Sequence, residues 1–145
     1  MPGFELIGEE ERQAVNELFN DGGVLFAHGF DEMRNNRYHV REFEKEFANY
    51  IGVKYAQAVS SGTAALKIAL VALGVKPGDE VITQAFTFVA TAEAIIDIGA
   101  KPVFVNINKK LNMDPVALEF AITDRTSAII PVHMLGVAAE QDEIH

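Results

Sequence analysis

The sequence predicts an α/β protein whose mostly parallel sheet is covered by helices, and three observations carry the prediction. From about residue 55 onward, short apolar runs alternate with helical stretches at the spacing that parallel strands joined by crossover helices require. One junction, Ser60-Ser61-Gly62-Thr63-Ala64, sets small and hydroxyl residues between an apolar run and a strongly helical one. A second junction, Asp114-Pro115, pairs an N-cap residue with proline at the first helical position, where its missing N–H costs nothing.

Taken in order, Met1 to Gly8 is expected to be extended. Residues 9–19 carry the apolar stripe Val15, Leu18 and Phe19 behind an acidic first turn, and Asp21-Gly22-Gly23 ends that helix. Residues 24–38 follow neither the helical nor the strand period and mix aromatics, glycine, Arg34 and Arg37, and long loops of this kind are often functional. From Val40 the pattern is helical again, with Val40, Phe43, Phe47 and Tyr50 on one side and Gly52 as its stop. The alternation then reads strand 55–59, helix 61–73, strand 80–85, helix 87–98, strand 102–107, helix 115–122 and strand 128–132. The helix after Ser61 is apolar nearly all round, so it is expected to lie buried between the sheet and a further layer. Residues 138–145 look like the first half of a crossover helix with no strand to follow, as expected for a piece of a longer polypeptide.

Composition narrows the function classes. At 145 residues and 49% hydrophobic content the chain has the length of about one domain and enough apolar side chains for a core. Twenty-one acidic against 12 basic residues give a net charge of -9, and the basic residues are scattered, which argues against nucleic acid as a partner. No apolar run approaches the roughly 18–20 residues that span a bilayer, so a cytoplasmic protein without membrane partners is expected. The absence of cysteine excludes disulfides, thiolate metal sites and cysteine nucleophiles, and the 4 histidines form no metal-like cluster.

The junction at Ser60 to Ala64 carries the chemistry. Where a strand hands over to a helix, free backbone N–H groups converge and the peptide dipoles favour an anion. Gly62 lets a ligand approach the backbone closely, and the hydroxyls of Ser61 and Thr63 add donors. The same residues would also serve as an ordinary N-cap before a buried helix. A dinucleotide fingerprint and a nucleotide P-loop both fail, because neither Gly-x-Gly-x-x-Gly nor Gly-Lys-Ser/Thr occurs in the chain. Lys67 lies one turn inside the helix, where a lysine snorkelling to solvent is expected rather than a phosphate clamp. What remains is a cup for one phosphate, of the type used for pyridoxal phosphate. The next turn, Ala85-Phe86-Thr87-Phe88, follows the next strand, and ligands of open parallel sheets bind beyond the carboxyl ends of strands. An aromatic ring in this turn can stack on a planar ring or lie in the core; Phe86 is expected in the core, and for Phe88 both places stand open.

Several segments together resemble the pyridoxal-phosphate sugar aminotransferases of the DegT/DnrJ/EryC/StrS family, from about residue 40 to the end. They are Ser60-Ser61-Gly62-Thr63-Ala64-Ala65-Leu66, Pro77-Gly78-Asp79-Glu80-Val81-Ile82, Thr87-Phe88-Val89-Ala90-Thr91, Gly99-Ala100-Lys101-Pro102-Val103-Phe104 and Pro131-Val132-His133. The N-terminal Met1 to Leu6, the loop Gly29 to Arg37, Val132-His133-Met134 and Asp142-Glu143-Ile144 are similar to a narrower branch, the transaminases that make 8-amino-3,8-dideoxyoctulosonate.

The resemblance implies the N-terminal part of the large domain of the aspartate-aminotransferase fold (pyridoxal-phosphate fold type I). Residues 1–38 would then be an arm, helix and substrate loop, and residues 39–145 an incomplete cofactor-binding large domain. It implies pyridoxal 5'-phosphate as cofactor, an amino-acid donor, with glutamate expected, a keto or aldehyde sugar or sugar acid as acceptor, and a homodimer completed by a missing C-terminal portion. Gly62, Thr63 and Ala64 with Ser61 would hold the phosphate, Phe88 would cover one ring face, His133 would lie near the pocket, and Arg34 and Arg37 are candidate anchors for an anionic sugar group. The aspartate that pairs with the pyridine nitrogen and the Schiff-base lysine come later in the family's sequence than this chain reaches, so no catalytic residue is expected here. The alternatives are a sugar dehydratase of the same fold, in which histidine replaces that lysine, and a non-catalytic subunit.

Overall fold

The computed structural model describes residues 4–145 and divides the chain into two units, residues 1–58 and residues 59–145. The helix that begins at His39 lies in the first unit. Part of the stretch expected to be extended lies outside the described residues, and Phe4–Leu6 form a 3-10 turn instead.

In the first unit, α1 (Glu9–Asn20) opens with Glu9, Glu10 and Glu11 at the positive end of the helix dipole, and the Gly8 N–H donates to Glu11 Oε2 at 2.7 Å. Gly22, with φ +96, ends the helical path, and a Cβ there would collide with the Met33 carbonyl, so both conformation and space require glycine. Helix α2 (His39–Ile51) stops at Gly52 in the left-handed region, as expected. The apolar stripes of both helices are exposed, and α2 buries only Ala48.

The loop between them is internally braced. Arg34 is only 8% exposed, donates to the Phe26 carbonyl oxygen, and sets its guanidinium 4.7 Å from the Tyr38 ring centroid. Arg41 lies over the same ring at 4.1 Å, the Tyr38 hydroxyl donates to Asp31, and Phe26 stacks on Phe30 at 5.6 Å.

The second unit is built on three parallel strands in the order β2-β1-β3: β1 (Glu80–Gln84), β2 (Lys101–Val105) and β3 (Thr126–Ile130). Val81 lies opposite Pro102 and Ala128, and Ile82 opposite Val103 and Ile129. Because side chains alternate along a strand, β1 feeds two cores. Val81 packs with Leu70 of α3 (Gly62–Ala72) and Ile95 of α4 (Val89–Asp97), whereas Ile82 packs with Val105, Met113 and Leu118 of α5 (Pro115–Ala121). The chain closes on the short helix α6 (Gln141–Ile144).

Three expectations are corrected. Residues 55–59 form no strand: no ladder partner stands beside them among the described residues, and the Ala58 N–H donates to Glu44 Oε1 at 2.8 Å. The last strand begins and ends two residues earlier than expected, because Pro131 has no N–H and the Val132 N–H goes to Gln84 Oε1 at 3.1 Å. Helix α3 buries Leu70 but leaves Ile68, Val71 and Leu73 exposed, so its apolar circumference is covered on one side only.

Candidate functional site

The carboxyl edge of the second unit's sheet gathers the ends of β1 and β3 and the turns that follow them. Ser61 has extended backbone, and its Oγ accepts the Ala64 N–H at 3.1 Å, which caps α3. That leaves the amides of Gly62 and Thr63, at the first two helical positions, without intrahelical acceptors, beside the hydroxyl of Thr63. A Cβ added at Gly62 meets nothing within 4 Å, and its φ is not positive. Neither packing nor backbone conformation of this chain therefore calls for glycine there, and the space a side chain's first carbon would take is open. Lys67 is turned to Asp97 at 3.3 Å, the surface role expected of it.

Phe88 caps α4 and is 76% exposed, so one aromatic face is free at the strand edge. Phe86 was expected in the core; it is 48% exposed, because the chain leaves the sheet at Ala85 and carries the ring outward. His133 is exposed just beyond β3, and its Nδ1 accepts the Ala139 N–H at 2.9 Å. That bond gives the neutral ring its proton on Nε2, which is thereby presented as a donor. In the first unit, Arg34 is engaged within its loop with its Nε buried and unpartnered, while Arg37 is half-exposed with Nη1 3.7 Å from Asp21.

Two residues that organise this edge were not singled out by the sequence. Gln84 is fully buried and meets four backbone groups: Nε2 donates to the carbonyls of Phe86 (2.8 Å) and Leu111 (3.0 Å), and Oε1 accepts from the amides of Met113 (3.0 Å) and Val132 (3.1 Å). Asn112, also fully buried, donates to the carbonyls of Val137 and Ala138 and accepts the Met134 N–H. The available signal was an amide-bearing side chain at the end of the apolar run Val81-Ile82, since a polar group at a buried strand position must find partners.

The perturbed carboxylate sits at the other end of β1. Glu80 accepts from Arg125 Nη2 at 2.6 Å and from the Thr123 hydroxyl at 2.7 Å, with Lys101 Nζ at 3.6 Å. The Arg125 bond first, then that of Thr123, brings its pKa down from 4.5 to about 2. This cluster ties β1 to the segment leading into β3 and stands apart from the strand ends that carry Phe88 and His133.

Three parallel strands flanked by α3, α4 and α5, with Phe88 exposed where the chain leaves β1, define an α/β unit with a parallel sheet. Residues 6–145 match the DegT/DnrJ/EryC1/StrS aminotransferase family, and the chain belongs to that family. It is 48% identical over 140 residues to the spore coat polysaccharide biosynthesis protein SpsC of Bacillus subtilis, covering 96% of this chain and 33% of that protein. It is 52% identical over 107 residues to the UDP-2-acetamido-2-deoxy-3-oxo-D-glucuronate aminotransferase of Pseudomonas aeruginosa, covering 73% and 30%. A putative sugar aminotransferase from Streptococcus pneumoniae, solved in its PLP-form, superposes with a TM-score of 0.82 at 34% identity over 95% of this chain and 33% of that one. The chain thus spans about a third of the length of the curated relatives it matches. Its sheet and helices are the N-terminal part of the large domain of the aspartate-aminotransferase fold.

Proposed function

We propose that the polypeptide to which these residues belong is a pyridoxal-phosphate aminotransferase that moves an amino group from an amino acid, glutamate being the expected donor, to a keto or aldehyde sugar or sugar acid. The observation that carries this reading is the open N-terminus of α3, where Gly62 is required by neither conformation nor packing. The residues fit the phosphate end of that cofactor: the amides of Gly62 and Thr63 are free of intrahelical acceptors, the hydroxyl of Thr63 stands beside them, and Ser61 fixes the turn through Ala64. When bound, the cofactor supplies an electron sink for negative charge that develops next to the transferred nitrogen. Phe88 would cover one face of the ring and keep water from it, and His133 would offer its Nε2 proton to an oxygen of the bound group.

The loop 29–38 recognises the acceptor. Arg37 presents a half-exposed guanidinium suited to a sugar carboxylate, and Arg34 shapes the loop from within. The reading extends to a cytoplasmic homodimer that supplies an amino sugar for a surface polymer such as lipopolysaccharide, supported by relatives named for polysaccharide and nucleotide-sugar biosynthesis.

The test is Gly62→Val in the complete polypeptide. A Cβ there meets nothing within 4 Å, so thermal stability should hold within about 1 kcal/mol while affinity for pyridoxal 5'-phosphate falls at least about tenfold. Unaltered cofactor affinity and absorbance in this variant would remove the phosphate site and the reading built on it.

A further inference from the structure

We propose that Gln84 is a positioning residue of this site, setting where Phe88 and His133 stand at the sheet edge; the inference rests on the cofactor reading above. Its amide uses all four of its hydrogen-bonding directions, and the partners are backbone groups of three separate segments. Phe86, two residues before Phe88, is held through its carbonyl, and Val132, one residue before His133, through its N–H. Leu111 and Met113 flank Asn112, whose own amide holds the chain from Met134 to Ala138. One buried side chain on the central strand therefore sets the stacking turn and the histidine turn relative to each other. Neither turn belongs to a ladder: the β1 pairings stop at Gln84 and β3 stops at Ile130. The Ala85 N–H reaches the Val105 carbonyl at 2.9 Å, Thr87 and Thr91 share a hydroxyl bond, and Asn112 and Ala139 hold Met134 and His133, but the Gln84 amide alone bonds to both turns at once.

Two substitutions separate positioning from mere support. Gln84→Met keeps the volume and removes all four bonds. Gln84→Glu keeps the shape; protonated, it accepts both amides and donates to one carbonyl, but ionised it faces the Phe86 and Leu111 carbonyls without a proton. Burial raises the pKa of such a carboxyl, so the correct arrangement is present at low pH and is lost as pH rises through that value.

The experiment uses the complete polypeptide loaded with pyridoxal 5'-phosphate and reads the visible circular dichroism per bound cofactor, which reports ring orientation, together with competition by inorganic phosphate, which reports the α3 N-terminus alone. The expected result is phosphate affinity within about twofold of wild type for both variants. The dichroism should be at least halved in Gln84→Met at every pH. In Gln84→Glu it should be close to wild type near pH 5.5 and reduced near pH 8.5, roughly spanning the range of raised carboxyl pKa values. If folded Gln84→Met or Gln84→Glu shows the wild-type signal throughout, the positioning role is overturned. A wild-type protein that binds neither the cofactor nor phosphate overturns the cofactor reading instead. Should Gln84→Met fail to fold, the pH response of Gln84→Glu alone decides.

Discussion

Residues 59–145 and residues 1–58 obey the same helical rules but end in different states of packing. In the second unit each helix or strand finds a face to bury, so that Val81, Ile82, Ala94, Ile95 and Met113 are fully enclosed. In the first unit α1 and α2 form where the sequence places them, yet Val15, Phe19, Phe43, Phe47 and Tyr50 stay exposed. The difference shows that caps and periodicity set a helix locally, whereas burial needs a partner surface. The largest consequence is energetic. Ile95→Ala should cost about 3 kcal/mol, because it empties a fully buried site between α3, α4 and the sheet. Phe43→Ala removes more atoms but should cost under about 1 kcal/mol, because its ring is already in water. Urea unfolding of both variants measures this, and equal losses would erase the contrast between the two units.

Charge sharpens the same comparison. Glu80, enclosed by Arg125, Thr123 and Lys101, titrates at about 2. Its folded pKa lies below the unfolded value of 4.5, so its contribution is fully present above pH 4.5 and is lost as pH falls towards 2. In the first unit Glu11 is also lowered, through its bond to the Gly8 N–H, but on an exposed first turn. Acid titration followed by circular dichroism should therefore show Glu80→Gln losing stability at neutral pH and flattening the profile between about pH 4.5 and 2, with Glu11→Gln changing it far less. Indistinguishable acid profiles for Glu80→Gln and the wild type would show that the ion cluster does not stabilise the sheet.

What the sequence made legible divides along a physical line. Signals carried within a few residues were read correctly: Asp114 as a cap, Gly52 as a helix stop, and the alternation that yields three of the four expected parallel strands. Features that depend on distant partners were not. Residues 55–59 have strand composition but no neighbouring ladder, Phe86 has a core side chain but lies past the end of its strand, and α3 is apolar on a side that nothing covers. At the candidate site, Ser61, Gly62 and Thr63 stood out by type, because small and hydroxyl residues cluster directly ahead of a strongly apolar helix. Gln84 and Asn112 did not, since an amide becomes informative only when the four groups it meets are known.

The smallest expected effect concerns the two arginines of the loop, which the sequence treated alike and the structure separates. Arg34 is enclosed, donating to Phe26 and lying against Tyr38, so Arg34→Lys exchanges a planar fork for a point charge inside the loop. It should lower stability by about 1–2 kcal/mol and disturb every kinetic constant together. Arg37 is half-exposed and loosely paired with Asp21 at 3.7 Å, so Arg37→Lys should leave stability untouched. If its guanidinium receives the sugar's anionic group, the same change in the complete enzyme should raise KM for the sugar roughly three- to tenfold and leave the half-reaction with the amino donor unaltered. An Arg37→Lys enzyme whose sugar KM moves by less than about twofold, well under 1 kcal/mol of binding, makes the loop a braced surface element and leaves acceptor recognition to residues outside this stretch.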